Sequence, residues 1–163
     1  MKPRSPQLNL RLDAAPPDLA AHWRDGTRLA YLGAHIILQV DTDRKTAALD
    51  VDALHLPLPP AAAPRQIQDG VEAWLRQEAT RLIGASVERH AQRLGLGQQY
   101  APRWALSFSA RSGWTHTHAD GSLRFNWRLI EQPVALIDQT VGRALAALST
   151  GSATADFWEM QAA

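Results

Sequence analysis

The chain has 163 residues, 45% of them apolar and 20% charged, which fits one globular domain able to bury a core of ordinary size. It has no cysteine, which excludes disulfides, thiolate catalysis and cysteine-based zinc sites, and its net charge of +1 gives no general pull towards nucleic acid or anionic membrane. No apolar run approaches the roughly 18 residues of a membrane span, and Met1-Lys2-Pro3-Arg4-Ser5-Pro6 leads into no apolar signal-peptide core, so the cytoplasm is the expected location.

Residues 1–25 are weakly patterned and hold Pro3, Pro6, Pro16 and Pro17. Leu8, Leu10 and Leu12 alternate with polar partners, which permits one short edge strand. The stretch reads as a loosely tethered N-terminal arm, ahead of a domain over residues 26–163. From Gly26 the pattern changes. Short β-branched or alternating runs follow at Arg28 to Tyr31, His35 to Val40, Thr46 to Val51 and Leu54 to Leu58. Leu32-Gly33, Asp41-Thr42-Asp43 and Asp52 separate them, and the spacing predicts a meander of short antiparallel strands. Pro57, Pro59, Pro60 and Pro64 then stop the ladder, because proline has no N–H to donate.

Pro64 suits the first turn of a helix. Ile67, Val71, Trp74, Leu75, Leu82, Val87, Ala91 and Leu94 recur at helical spacing, and Gly95 supplies a stop. This is a long amphipathic helix with a candidate kink at Gly84; Arg65, Gln68, Glu72, Arg76, Arg89 and Gln92 form its solvated face. Trp104, Leu106 and Phe108 alternate with small residues as a half-buried strand. Two further alternating runs, Trp114 to His118 and Leu123 to Arg128, flank Asp120-Gly121 and predict a hairpin. Pro133 opens a second helix to about Leu148. Ser149-Thr150-Gly151-Ser152 is expected to end it, with a short last helix over about Thr154 to Met160. The predicted fold class is α+β: a small antiparallel sheet and hairpin with a long helix and a C-terminal helical pair.

Several strings carry a resemblance: Tyr31-Leu32-Gly33, Trp74-Leu75-Arg76-Gln77-Glu78-Ala79, Arg111-Ser112-Gly113-Trp114, Leu123-Arg124-Phe125-Asn126-Trp127-Arg128-Leu129, and Phe157-Trp158. Their order resembles the YgjP-like branch of the SprT-like zinc metallopeptidases, over residues 26–160. The resemblance implies a zincin-like scaffold, and the chain looks shortened at both ends beside that family. In the family, the helix after the hairpin carries H-E-x-x-H, and a third histidine precedes the Phe-Trp. Histidines at i and i+4 share one helix face and one metal, while the glutamate activates bound water.

Anchored by Ile137-Asp138 and Phe157-Trp158, the resemblance aligns without a gap. It places the first histidine at Arg143, the glutamate at Ala144, the second histidine at Ala147 and the third at Ala153. Alanine has no ligand atom, and arginine keeps a charge that repels a divalent cation. A catalytic zinc needs about three protein ligands, and the inherited positions offer none. The resemblance therefore implies a zinc-binding ancestry, while the residues lead to the expectation of no catalytic residue, no metal ligand and no cofactor.

On a helical projection Val134, Ile137, Val141, Leu145 and Leu148 form one stripe. Leu136, Thr140, Arg143 and Ala147 lie opposite, and the helix is expected to pack on both sides. Arg143 would then be a cation held by internal carboxylates, Asp156 and Glu159 being candidates. Reaching to water and binding an anionic ligand are its other readings. His116 and His118 share a strand face and form a candidate two-point metal handle, against the plain reading of exposed hairpin histidines. His90, on the long helix, is a further histidine without assured proximity.

Three functions are carried from these residues. The first is a non-catalytic peptidase homologue that binds or regulates a protein or peptide partner, through the cleft or a sheet edge. Its candidate binding residues are Arg143, His116, His118, Arg124, Asn126 and Arg128. The second is a hydrolase with a rerouted metal site built on His116, His118 and another histidine. The third is a nucleic-acid module using Arg103, Arg111, Arg124 and Arg128 with Trp104, Trp114 and Trp127. Near-zero net charge and the inward alternation of the aromatics weigh against it. No membrane partner is expected. No G-x-S-x-G elbow or Gly-rich phosphate loop is present.

Overall fold

The computed structural model describes residues 23–96, 102–108 and 113–161, with side chains described as far as Thr150. Four strands open the described chain: β1 (Arg28–Tyr31), β2 (Ala34–Val40), β3 (Ala48–Asp50) and β4 (Ala53–Leu56). They form one sheet in the order β1-β2-β4-β3. β1 pairs antiparallel with β2 and β3 antiparallel with β4, as alternation predicts, but β2 and β4 run parallel. The meander is corrected here: the β3–β4 hairpin enters the sheet with β4 inside. Burial selects that order, since Ala53, Leu54 and Leu56 of β4 are buried while β3 has no fully buried residue.

The β1–β2 turn shows what Tyr31-Leu32-Gly33 does in the fold. Leu32 and Gly33 both have positive φ, 50° and 79°, the requirement of a tight two-residue hairpin turn. Gly33 also meets Pro133, where a Cβ would come within 2.8 Å of the ring Cγ. The amides of Leu32 and Gly33 donate to the carbonyls of Ile130 and Glu131 at 2.9 and 3.0 Å. The first hairpin is thus locked to the segment that leads into the last helix.

Helix α1 runs from Pro64 to Arg93. Proline at its first position loses no hydrogen bond, and the Gln66 side chain accepts from the Ala63 amide at 2.9 Å. Its buried face is Ile67, Val71, Trp74, Leu75, Ala79, Ile83, Ser86, Val87 and Ala91. The helix continues through Gly84, where the lack of a side chain admits Trp104: a Cβ would sit 3.2 Å from the indole Cζ2. It ends as predicted at Gly95, with φ +68°. There Leu96 N–H donates to Ala91 and Gly95 N–H to Gln92, the paired bonds of a Schellman cap.

A second sheet has the order β5-β7-β6, with β5 at Trp104–Ser107, β6 at Thr115–Thr117 and β7 at Leu123–Asn126. β6 and β7 form the expected antiparallel hairpin, whose turn places Gly121 at φ +78°. Asn126 accepts from the Arg128 amide through its side chain and starts a 3-10 turn, Trp127–Glu131, which buries Trp127, Leu129 and Ile130.

Helix α2 then runs unbroken from Val134 to Gln161. The expected break at Ser149-Thr150-Gly151-Ser152 does not occur, so the predicted C-terminal helical pair is one helix. Ser149 Oγ donates to the Ala146 carbonyl, and Thr150 Oγ1 to those of Ala146 and Ala147. Hydroxyls bonded back to the preceding turn satisfy themselves without leaving the helix. The α+β scaffold is as predicted: among the described residues, two small sheets and two helices surround one core of β1, β2, β4, α1, β7, the 3-10 turn and α2.

Candidate functional site

The core-facing residues of α2 are Ile137, Val141, Ala144 and Leu145, all buried. That stripe fixes the helix rotation and hence the place of each inherited position. Ala144 is buried against the core, Ala147 is exposed, and Arg143 is exposed. Ala153 carries a side chain outside the described residues, as do Asp156 and Glu159.

The expectation that α2 packs on both sides is therefore corrected. Gln139, Arg143, Ala146, Ala147 and Thr150 form an open face. The reason is energetic. Covering two alanines returns about 0.8 kcal/mol per buried methyl-sized group, far less than burying a guanidinium costs without an excellent partner. Of the three readings for Arg143, its exposure favours access to water. The donor chemistry fits zinc poorly at these positions, because two have only a methyl group and one a permanent cation. Among the described residues no three His, Asp or Glu side chains converge to hold a metal ion.

The hairpin histidines do come together. The His116 and His118 rings are 4.9 Å apart at 81°. His118 Nε2, however, accepts from Arg124 Nε at 3.1 Å, so one lone pair is committed and a cation stands beside it. His90 belongs elsewhere, in the contact between α1 and α2. Asn126 serves the 3-10 turn, and Arg128 is exposed with its guanidinium 5.5 Å from the Trp127 ring centre.

For the nucleic-acid reading, Arg103, Arg124 and Arg128 do face solvent, while Arg111 lies outside the described residues. The rings give little for a base to stack on: Trp127 is buried, Trp104 is half-buried, and only Trp114 is substantially open. Arg103 is paired with Asp120 at 3.3 Å.

Sequence reasoning missed the strongest polar node, which ties α1 to α2. Asp138 Oδ1 accepts from Ser86 Oγ at 2.7 Å and from Arg89 at 2.8 Å, with His90 Nε2 at 3.2 Å. Ser86, Arg89 and His90 stand on one face of α1 at helical spacing. The Ser86 hydrogen bond first, then Arg89 and the nearby His90, draw the Asp138 carboxyl down to about 2. Ser86 is buried, so the node is a clasp within the fold and offers no reactive hydroxyl at the surface. Asp138 served in the sequence only to set the motif register, and its partners lie about fifty positions away.

Arg76 was also placed on the solvated face of its helix. In the fold it bonds Glu72 at 2.9 Å, and its guanidinium lies 4.6 Å from the Phe108 ring centre and 5.7 Å from that of Trp127. It links α1 to the end of β5 and to the start of the 3-10 turn. No helix among the described residues is long and apolar enough to cross a membrane.

No curated protein and no solved structure matches the chain. The family model described as the YgjP-like, metallopeptidase domain matches residues 7–159. That span takes in both described sheets, α1, all but the last two residues of α2 and positions 143, 144, 147 and 153, and the chain belongs to the YgjP-like metallopeptidase family.

Proposed function

We propose that this chain is a non-catalytic member of its family, a cytoplasmic module that binds or regulates a protein or peptide partner. One observation carries the reading: in the register anchored by Ile137-Asp138 and Phe157-Trp158, the helix that would present H-E-x-x-H presents Arg143, Ala144 and Ala147. A shift of one residue in either direction restores neither helix histidine, since Gly142, Ala144, Ala146 and Leu148 have no ligand atom in their side chains. Without a metal the scaffold keeps two small sheets whose outer strands pair on one side only among the described residues, surfaces suited to extended peptides.

The test is the metal content of the purified chain by inductively coupled plasma mass spectrometry, joined to hydrolysis of an unfolded protein substrate with and without chelator. Zinc well below one per chain and no chelator-sensitive cleavage are expected. One tightly held zinc per chain would overturn the reading.

The rerouted hydrolase has one observation in its favour, the close pair of His116 and His118. If zinc is found, its loss in the His116→Ala/His118→Ala double variant would assign it to that pair.

A further inference from the structure

We propose that the outer edge of β1 docks an acidic, extended peptide, held by strand addition and by the guanidinium groups of Arg28 and Arg128. The inference rests on the binding-module reading and gives it a surface and a partner chemistry.

The backbone supplies the first argument. β1 is an outer strand of its sheet, and among the described residues no strand lies beyond it. Leu38 N–H donates to Thr27 at 2.8 Å, which sets the phase of the ladder with β2. Alternation then assigns the pairs Leu29↔Ile36 and Tyr31↔Ala34 to mutual hydrogen bonds. Arg28 and Ala30, one residue out of phase, turn their N–H and C=O groups away from β2. Those groups are what an added strand would engage.

A pocket of about 360 Å³ adjoins this edge, lined by Trp23, Arg28, Leu75, Trp127, Arg128 and Glu131 among others. Its volume suits one or two side chains of a bound segment, and Leu75, Trp23 and Trp127 give it apolar walls. Glu72 also lines it, but its carboxylate is already held by Arg76 and Gln68 at 2.9 and 3.0 Å.

Charge decides the occupant. Arg24, Arg28 and Arg128 are exposed, and none of them enters an ion pair among the described residues. Against these cations stands Glu131, half-buried, its pKa raised by burial while the Arg128 charge pulls it the other way. A basic segment would have to displace Arg128 from the face of Trp127 and sit beside Arg28. An acidic segment meets the guanidinium groups of Arg28 and Arg128, neither in a salt bridge among the described residues, whose planar forks match carboxylates.

The experiment uses the full chain and a fluorescent decapeptide alternating Glu and Val, with a Lys–Val peptide and a proline-interrupted Glu–Val peptide beside it. Anisotropy is expected to show binding of the Glu–Val peptide alone, weakened about tenfold or more in Arg28→Glu/Arg128→Glu. Both positions are exposed, and an unchanged melting temperature verifies the fold of that variant. Lys45→Ala, which removes an exposed cation between β2 and β3, is expected to bind normally, and Glu131→Gln more tightly. Hydrogen exchange in the complex should slow at the amides of Arg28 and Ala30. Failure to bind, preference for the Lys–Val peptide, or full affinity in Arg28→Glu/Arg128→Glu would overturn the proposal. Each leaves the non-catalytic reading to its own test, the zinc content.

Discussion

His90 on α1 lies so close to Gly142 on α2 that a Cβ at the glycine would sit 2.7 Å from His90 Cε1 and 3.1 Å from both ring nitrogens. A glycine inside a helix costs about 1 kcal/mol relative to alanine, and here it makes room for an imidazole whose Nε2 is 3.2 Å from Asp138. Gly142→Ala should therefore destabilise by about 1–2 kcal/mol, overpacking outweighing the gain in helix propensity. In a His90→Ala background the same change should stabilise by roughly 0.5–1 kcal/mol. A double-mutant cycle by urea denaturation reads the reversal. Equal effects in both backgrounds would show that the two residues do not couple.

Asp138 gives this clasp a pH signature. Its carboxyl lies at about 2 in the folded chain against an ordinary 3.8, held down by Ser86, Arg89 and His90. A depressed folded value means a contribution present above the unfolded value and lost as pH falls from 3.8 through about 2. The side chain keeps 35% exposure, so solvent screens part of that contribution. Asp138→Ala should cost about 1–3 kcal/mol at neutral pH, chiefly because the buried Ser86 hydroxyl loses its acceptor. It should also flatten the acid limb of the stability curve in that window. An acid limb identical to that of the parent chain would remove Asp138 as its source.

How far the fold could be read beforehand depended on whether the signal was local. The Asp120-Gly121 hairpin and the α1 stripe with its Gly95 stop are written within a few residues of where they act, and both were legible. The parallel pairing of β2 with β4 was not, because alternation marks a strand without naming its neighbour. The turn that places β4 offers no glycine signal either: Val51, a β-branched residue, takes φ +55° there. The Ser149-Thr150-Gly151-Ser152 run misled because hydroxyls that favour helix ends can also bond back within a helix. In the candidate site, the missing donors were visible as residue types. The exposure of Arg143 was not, since a helical projection gives two sides and cannot say which is covered.

Tyr31 offers a spectroscopic check of the β1–α1 contact. Its hydroxyl donates to Glu78 Oε2 at 2.8 Å, and Glu78 is held in turn by Arg81 at 2.7 and 3.1 Å. Burial first, and then the Glu78 hydrogen bond and charge, push the phenol up to about 12. A raised folded value gives stability that is complete below pH 10.0 and is lost as pH rises towards about 12. Ultraviolet titration should assign Tyr31 this late ionisation, by difference against Tyr31→Phe. Glu78→Gln should move it part of the way back, because burial remains. Tyr31→Phe itself should cost about 1 kcal/mol. Ionisation of Tyr31 at the ordinary phenol value would break the link between the hydrogen bond and the strand–helix contact.

Arg143 separates the two accounts of the altered helix. Were it a buried cation held by internal carboxylates, Arg143→Ala would cost about 2 kcal/mol or more. It stands exposed beside Gln139, Ala146 and Ala147, so removing it takes away a solvated side chain and inserts the best helix former. The expected change in unfolding free energy is within about 0.5 kcal/mol of zero, read from urea midpoints at constant slope. Arg143→Glu extends the test: an enclosed site would reject the reversed charge by several kcal/mol, whereas an open face should tolerate it within about 1 kcal/mol. A large loss in either variant would mean that Arg143 is covered, and the open face on α2 would have to be abandoned.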